Sequence, residues 1–336
     1  MGTRAGNIIT KLIYYPLLTI CCLEVALLIL GYRCYKNTQY TIEAEPQNAY
    51  AGHSELGIQL NPGKYAITIN DSLTFKATHQ SPTSRVVKTK KPSAPGIAML
   101  GCSFTYGFGV NDEEHFTSLL QAEFPNIDFY QRAVVGHGTV QSLITLKELV
   151  QSTPLAGVFL QFSSEHLMRN TLSPTYRSHL KIGYGHSSKN INNRMNQARF
   201  PYVERCNGPI LYAPWSEIYE HWPGRRWSAT VNWLQTSYDR WHEDIPGQIA
   251  TTACLLQEIN QICQDHNIIF SVVSLDQHPN VDALKSQVPG IRWIDTHFDF
   301  SDPNLTNKPF DNHPSTSGHR YLAERIKPYV AQFINE

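Results

Sequence analysis

Short runs of β-forming apolar residues recur from about Gly96 onward, each closed by turn residues and separated from the next by a stretch of helical periodicity. The runs are Ile97 to Leu100, Phe129 to Val135, Gly157 to Phe162, Ile268 to Leu275 and Arg292 to Asp295. Helices fit between and after them: His115 to Phe124 behind the Asn111-Asp112 cap signal, Val140 to Gln151, Thr251 to His266, and Gly318 to Ile334. Strands alternating with helices predict an α/β domain with a mainly parallel five-stranded sheet wrapped by helices. Residues 170–247 break the rhythm and read as an insertion holding Trp215, Trp222, Trp227, Trp233 and Trp241, five of the six tryptophans. Such an insertion serves as a lid or binding surface, or simply packs a small core of its own.

Upstream the pattern changes twice. Tyr65 to Ile69 and Ser72 to Ala77 alternate apolar and polar residues around Asn70-Asp71, which predicts a small β-hairpin. Tyr35 to Leu56 is polar and reads as a spacer, and Ser81 to Pro95, rich in Ser, Pro and Lys, reads as a linker. From Ile13 to Leu30 the chain is almost wholly apolar, flanked by Arg4 and Lys11 before it and Arg33 and Lys36 after it. That length predicts a single N-terminal transmembrane helix. Glu24 alone interrupts it, at a cost of roughly 2.5–3.5 kcal/mol on insertion scales unless paired or protonated. No small-x-small cleavage site follows, so an anchor is preferred to a cleaved signal, with the main domain periplasmic or otherwise outside the cytoplasm. The expected organisation is an anchor over 1–36, a spacer and β-rich lead-in over 37–95, and the α/β domain over 96–336.

Composition narrows the partners. The 336 residues carry 28 Lys+Arg against 28 Asp+Glu, so no global field attracts polyanions and nucleic acid is excluded as a partner. Gly107-Phe-Gly109 and Gly136-His-Gly138 lack the third glycine of a dinucleotide fingerprint, and no Gly-Lys-Ser/Thr follows a strand. Fourteen histidines lie without ligand spacing, so neither a metal nor another cofactor is expected. The seven cysteines include no CxxC, Cys254 and Cys263 are too far apart on one helix to pair, and free thiols are the expectation.

Chemistry points to two places. The first strand ends in Gly101-Cys102-Ser103-Phe104-Thr105-Tyr106-Gly107, which displays a serine where open α/β sheets place their sites. A serine hydroxyl needs a base, and Asp311-Asn312-His313-Pro314 supplies one. In an extended segment, side chains at i and i+2 point the same way, so Asp311 can orient the His313 imidazole, with Asp302 or a backbone carbonyl as substitutes. Adjacent residues leaving a strand diverge, so Cys102 faces the interior and Ser103 is the nucleophile.

With its Gly-Cys-Ser-Phe-Thr-x-Gly-x-Gly block and the late Asp and His, the chain resembles the SGNH/GDSL hydrolase superfamily, specifically its membrane-attached bacterial branch. The likeness runs from Gly96 to the C-terminus, with the insertion poorly matched, and touches Leu56-Gly57 and Asn61-Pro62-Gly63 upstream. It implies a three-layer α/β/α sandwich of flavodoxin-like form and metal-free acyl-ester hydrolysis or acyl transfer. It also implies an oxyanion hole from the backbone N–H groups of Ser103 and Gly136. The family's third donor is the Asn of a Gly-x-Asn-Asp segment, absent here; relatives also place Asn five residues before that glycine, where this chain has Gln131. If a helix starts near Glu165, His166, Arg169 and Asn170 share a face by their spacing and line the pocket, His166 and Arg169 as substrate-binding residues; the branch the chain resembles carries a similar His-x-x-Arg segment there, which implies Asn170 or Arg169 as the third donor. The function expected is a membrane-anchored serine ester hydrolase acting on an O-acylated glycan or envelope lipid. An O-acyltransferase component using the same residues, and a non-catalytic envelope scaffold retaining the fold, are the alternatives.

Overall fold

Alternate residues of the strand Gly96–Gly101 feed two separate cores: Ala98 and Leu100 point to one, Ile97 and Met99 to the other. This period of two, apolar on both faces, is what a central strand of a parallel sheet requires. A computed structural model describes residues 10–35, 41–87, 96–185 and 195–335. Parts of the expected spacer and linker, and flanking Arg4 and Lys36, lie outside the described residues.

In chain order the elements are α1 (Tyr15–Ile29), β1 (Ile42–Glu45), β2 (Tyr50–His53), β3 (Gly57–Leu60), β4 (Gly63–Ile69), β5 (Leu73–Ser81), β6 (Ser84–Arg85), β7 (Gly96–Gly101), α2 (Ser103–Tyr106) and α3 (Phe116–Glu123). Then follow β8 (Phe129–Ala133), α4 (Thr139–Ser152), β9 (Leu155–Phe162), α5 (Glu165–Asn170), α6 (Pro174–Gly185), β10 (Arg199–Tyr202), β11 (Leu211–Pro214) and α7 (Ala229–Trp241). The last are α8 (Ile245–Asp265), β12 (Ile269–Ser274), α9 (Pro279–Gln287), β13 (Arg292–Asp295) and α10 (Thr316–Asn335).

The chain divides into two units. The larger, Gln39–Ile218 with Asp244–Glu336, holds a five-stranded sheet in the order β13-β12-β9-β7-β8. All four of its pairings are parallel. Leu143, Leu146, Leu256, Ile259 and Leu284, from α4, α8 and α9, fill one face; Phe116, Leu120, Leu322 and Ile326, from α3 and α10, fill the other. The result is an α/β/α sandwich whose five strands match the five apolar runs. Asn70 and Asp71 both have positive φ and turn β4 back onto antiparallel β5, as the alternation around them predicts. The polar stretch expected as a spacer instead contributes β1, which pairs with β4, and β2, which pairs with β3.

Two expectations are corrected. Cys206 and Cys254 form a disulfide with Cα atoms 5.5 Å apart, joining the segment after β10 to α8. Their 48-residue separation is closed only by tertiary packing, which spacing along the chain does not reveal. In place of the transmembrane span expected over Ile13 to Leu30 stand a π-helical turn, Thr10–Tyr14, and α1, interrupted by the engaged carboxylate of Glu24. Among the described residues no helix is long and apolar enough to cross a membrane.

The smaller unit, Met1–Thr38 with Tyr219–Glu243, contains α1 and α7. Glu24, the carboxylate inside the apolar run, accepts from the backbone N–H groups of Ala229 (2.6 Å) and Thr230 (2.9 Å) and from the Ser228 hydroxyl (2.6 Å). It thereby satisfies donors that the start of α7 would otherwise leave bare. Arg225, buried, bonds Asn232, Tyr219 and Gln235 and lies over the Tyr35 ring, 4.9 Å from its centroid.

Candidate active site

The turn that presents Ser103 is built from conformational necessity. Gly101 ends β7 at φ +148°, and a Cβ there would stand 2.5 Å from Thr105 Oγ1 and 3.0 Å from Gln161. Only glycine lets the chain turn this tightly into α2, which begins at Ser103. Cys102 is fully buried, its thiol donates to Gln161 Oε1 at 3.1 Å, and burial pushes its pKa up. A protonated, enclosed thiol is a poor nucleophile.

Ser103 Oγ lies 2.8 Å from His313 Nε2. On the other side of the ring, Nδ1 lies 2.5 Å from Asp311 Oδ1, and the same oxygen accepts from the His313 backbone N–H at 2.7 Å. The imidazole sits between Phe104 and Phe108, ring centroids 5.2 and 4.9 Å away. Asp311 is nearly buried, which fixes a charged acceptor behind the ring. Asp302, the substitute orienter, spends the same carboxylate oxygen on the main chain and side chain of Asn304. The loop carrying Asp311 and His313 is held by Asn307, whose N–H donates to the His313 carbonyl and whose side chain donates to that of Pro314.

Ser103, Gly136, Arg169, Asp311 and His313 all line one cavity of about 770 Å³. Its walls are largely apolar, with Ile42, Phe104, Phe108, Leu180, Phe300 and Phe310. Gly136 follows β8 with φ +76°, a conformation that favours glycine, and its carbonyl accepts from the Tyr176 hydroxyl at 2.9 Å. Burial pushes Tyr176 up to about 12, so this hydroxyl remains a donor that holds the turn.

The helix face expected to line the pocket splits. Arg169 reaches the cavity, where its guanidinium pairs with Glu165 and donates to the His137 carbonyl at 2.9 Å. Asn170 does not supply the third oxyanion donor: fully buried, its Oδ1 accepts from the N–H groups of Thr139 (2.8 Å) and Val140 (3.3 Å), and its amide donates to Thr252. It caps α4 and ties it to α8. His166 is also fully buried and does not line the cavity; desolvation holds its pKa well below the usual histidine range, so it is a neutral core residue and not a substrate ligand. Gln131 is buried and accepts from the Arg85 N–H at 2.8 Å.

Two features escaped the sequence reading. Asp276, just past the end of β12, lines the cavity and accepts from the N–H and hydroxyl of Ser164. Its position after a strand's carboxyl end is the signal that could have found it. The other is Arg85, fully buried, which pairs with Asp112 at 2.8 Å and donates to the carbonyls of Tyr106, Gly107, Val110 and Lys76. It staples the lead-in sheet to the turn that follows Ser103. Arg85→Met strands Asp112 and those carbonyls, and we expect a stability loss of about 3–5 kcal/mol in urea unfolding. A loss under about 1 kcal/mol would show the network to be dispensable.

No family model matches the chain, and no curated protein matches it. Solved structures similar to it include the psychrotrophic esterase EstA from Pseudoalteromonas sp., at 11% identity over 72% of this chain and 100% of that one, with a TM-score of 0.38. Another is a member of the lipolytic protein G-D-S-L family from Veillonella parvula, at 12% identity over 70% of this chain and 97% of that one, with a TM-score of 0.31. A third is the acetyl xylan esterase AlAXEase, at 12% identity over 70% of this chain and 99% of that one, with a TM-score of 0.38. At these values the similarities carry no weight for the chemistry, which rests on the geometry of the three side chains.

Proposed function

We propose that the protein is a serine ester hydrolase of the SGNH/GDSL type, with Ser103 as nucleophile, His313 as base and Asp311 as its orienter. The continuous chain from Ser103 Oγ through the imidazole to the Asp311 carboxylate carries the reading. Ser103 Oγ attacks the ester carbonyl while His313 Nε2 takes its proton, and Asp311 holds Nδ1–H and stabilises the imidazolium that forms. The backbone N–H groups of Ser103 and Gly136 are the donors assigned to the oxyanion. His313 then protonates the leaving alkoxide. Water, deprotonated by the same imidazole, attacks the acyl-serine, releases the carboxylic acid and returns the proton to Ser103.

The aromatic and aliphatic walls suit the acyl part of an O-acyl ester of a glycan or an envelope lipid. The Cys206–Cys254 disulfide supports an oxidising compartment, and hence a domain outside the cytoplasm. For the test, p-nitrophenyl esters of increasing chain length are assayed alongside labelling by a fluorophosphonate. Labelling is expected at Ser103, and kcat/KM is expected to rise about fourfold per methylene from acetate until the cavity is filled, following about 0.8 kcal/mol per buried CH₂. No turnover and no labelling would leave the scaffold reading in place. Acyl transfer to a sugar hydroxyl in preference to water would establish the transferase.

A further inference from the structure

One part of the catalytic cavity's wall comes from outside the α/β/α sandwich. Among the described residues lining the cavity, Ile42, the first residue of β1, alone belongs to the lead-in sheet, and it shares that lining with Phe310, the neighbour of Asp311. Ile42 is partly open to solvent and Phe310 is 47% exposed, whereas Phe104 and Phe108, which flank the His313 ring, are buried. The buried rings therefore mark the reacting end of the cavity, and Ile42 and Phe310 mark its mouth.

A single amide joins the two sides of that mouth. Asn70, in the turn between β4 and β5, brackets Thr41: its backbone N–H donates to the Thr41 carbonyl and its Oδ1 accepts from the Thr41 N–H, both at 3.0 Å. Its Nδ2 donates to the Phe310 carbonyl, also at 3.0 Å, across a separation of 240 residues. Only an amide carries the acceptor and the donor that these two partners require, and asparagine tolerates the φ of +49° found here. The flanking residues are held as well. Ile42 stands in register with Ile69 of β4, and the Asn307 carbonyl accepts from the N–H groups of both Phe310 and Asp311. A short acyl group on Ser103 is enclosed by the inner rings, and one that outgrows them meets Ile42 and Phe310 next, withdrawing further apolar area from water.

We infer that the lead-in sheet is part of the active site: Ile42 and Phe310, clamped by Asn70, form an apolar lip that favours esters of long acyl chains over short ones. The inference rests on the esterase reading and adds to it the element that sets chain length.

The full chain is assayed with p-nitrophenyl acetate, hexanoate and decanoate, and the readout is the ratio of kcat/KM for decanoate to that for acetate. Ile42→Thr, which keeps a β-branched side chain in the strand, and Phe310→Ser, at a position already half open, are each expected to lower that ratio about threefold, and together about tenfold. Ile42→Val is expected to keep most of it. Asn70→Gly, which accepts the positive φ and removes the clamp, is expected to lower the ratio in the same direction, as is Asn70→Asp, which retains the acceptor for Thr41 and loses the donor to Phe310. Melting temperatures measured in parallel show that the fold is kept. An unchanged ratio in the double variant, or equal losses on acetate and decanoate, overturns the inference and leaves the esterase reading standing. A parent chain that turns over none of the esters and takes no fluorophosphonate at Ser103 overturns both.

Discussion

Ser103→Ala is expected to lower kcat for ester hydrolysis by about 10⁴–10⁶-fold with little change in KM, because the substitution removes the attacking atom and leaves the cavity walls in place. His313→Ala should cost about as much, since an unassisted hydroxyl is a weak nucleophile, and the double variant should be no worse than either single one. Groups that act as one unit are not additive. Asp311→Asn is expected to lose up to about 10⁴-fold in kcat while retaining the fold: an amide presented to Nδ1 favours the tautomer in which Nε2 carries the proton and cannot accept the one from Ser103. Cys102 offers no bypass, being fully buried, kept protonated and bonded to Gln161. Steady-state kinetics on the three variants, with iodoacetamide added to Ser103→Ala, test this directly. Thiol-sensitive turnover in that variant would transfer the nucleophile to Cys102, and full activity in His313→Ala would dissolve the triad.

Much of this site is local in sequence, which is why it was legible. Gly101 to Gly107 forms the strand end and turn by itself, whereas Asp311 and His313 meet across a bend, not the extended segment expected: the carboxylate of Asp311 accepts the His313 backbone N–H and so closes a local turn that also brings it to Nδ1. What remained hidden depends on which face of an element looks inward. His166 and Asn170 do share a helix face, but it packs on α4 and α8, while Arg169 points to the cavity; helical spacing groups residues without orienting the group. The five sheet strands stood out because parallel strands buried on both sides are apolar throughout. Short β1 and β2, half covered and polar, carry no such signal. The same limit applies to Glu24: an apolar run reads as a membrane span until a partner some 200 residues away accounts for the carboxylate within it.

Acid is expected to destabilise the larger unit from about pH 6.5 downward, through its buried histidines. His79, His115, His137, His166 and His319 are all buried, and desolvation, the largest cause at each, favours the neutral ring. His79 and His137 are pushed down to about 4 and His319 to about 3, from an ordinary value near 6.5. The neutral rings are tied into the fold: His137 Nε2 donates to the Ile58 carbonyl, and His79 lies 2.8 Å from the Tyr106 hydroxyl behind the nucleophile turn. With the folded pKa below the unfolded one, the unfolded chain binds more protons in between, so stability is full above about pH 6.5 and falls as pH drops toward 4. Each of His79 and His137 accounts for about 3 kcal/mol across that window, and two such losses approach the 5–15 kcal/mol of a typical domain. Circular dichroism followed from pH 7.5 to 3.5 is expected to show a cooperative transition between about pH 5 and 4. His137→Gln, which keeps a donor for Ile58 and cannot titrate, should make stability measured in urea less steeply dependent on pH. Urea stability constant from pH 6.5 to 4.5 would mean that these rings can protonate inside the fold, and the desolvation argument for them would fail.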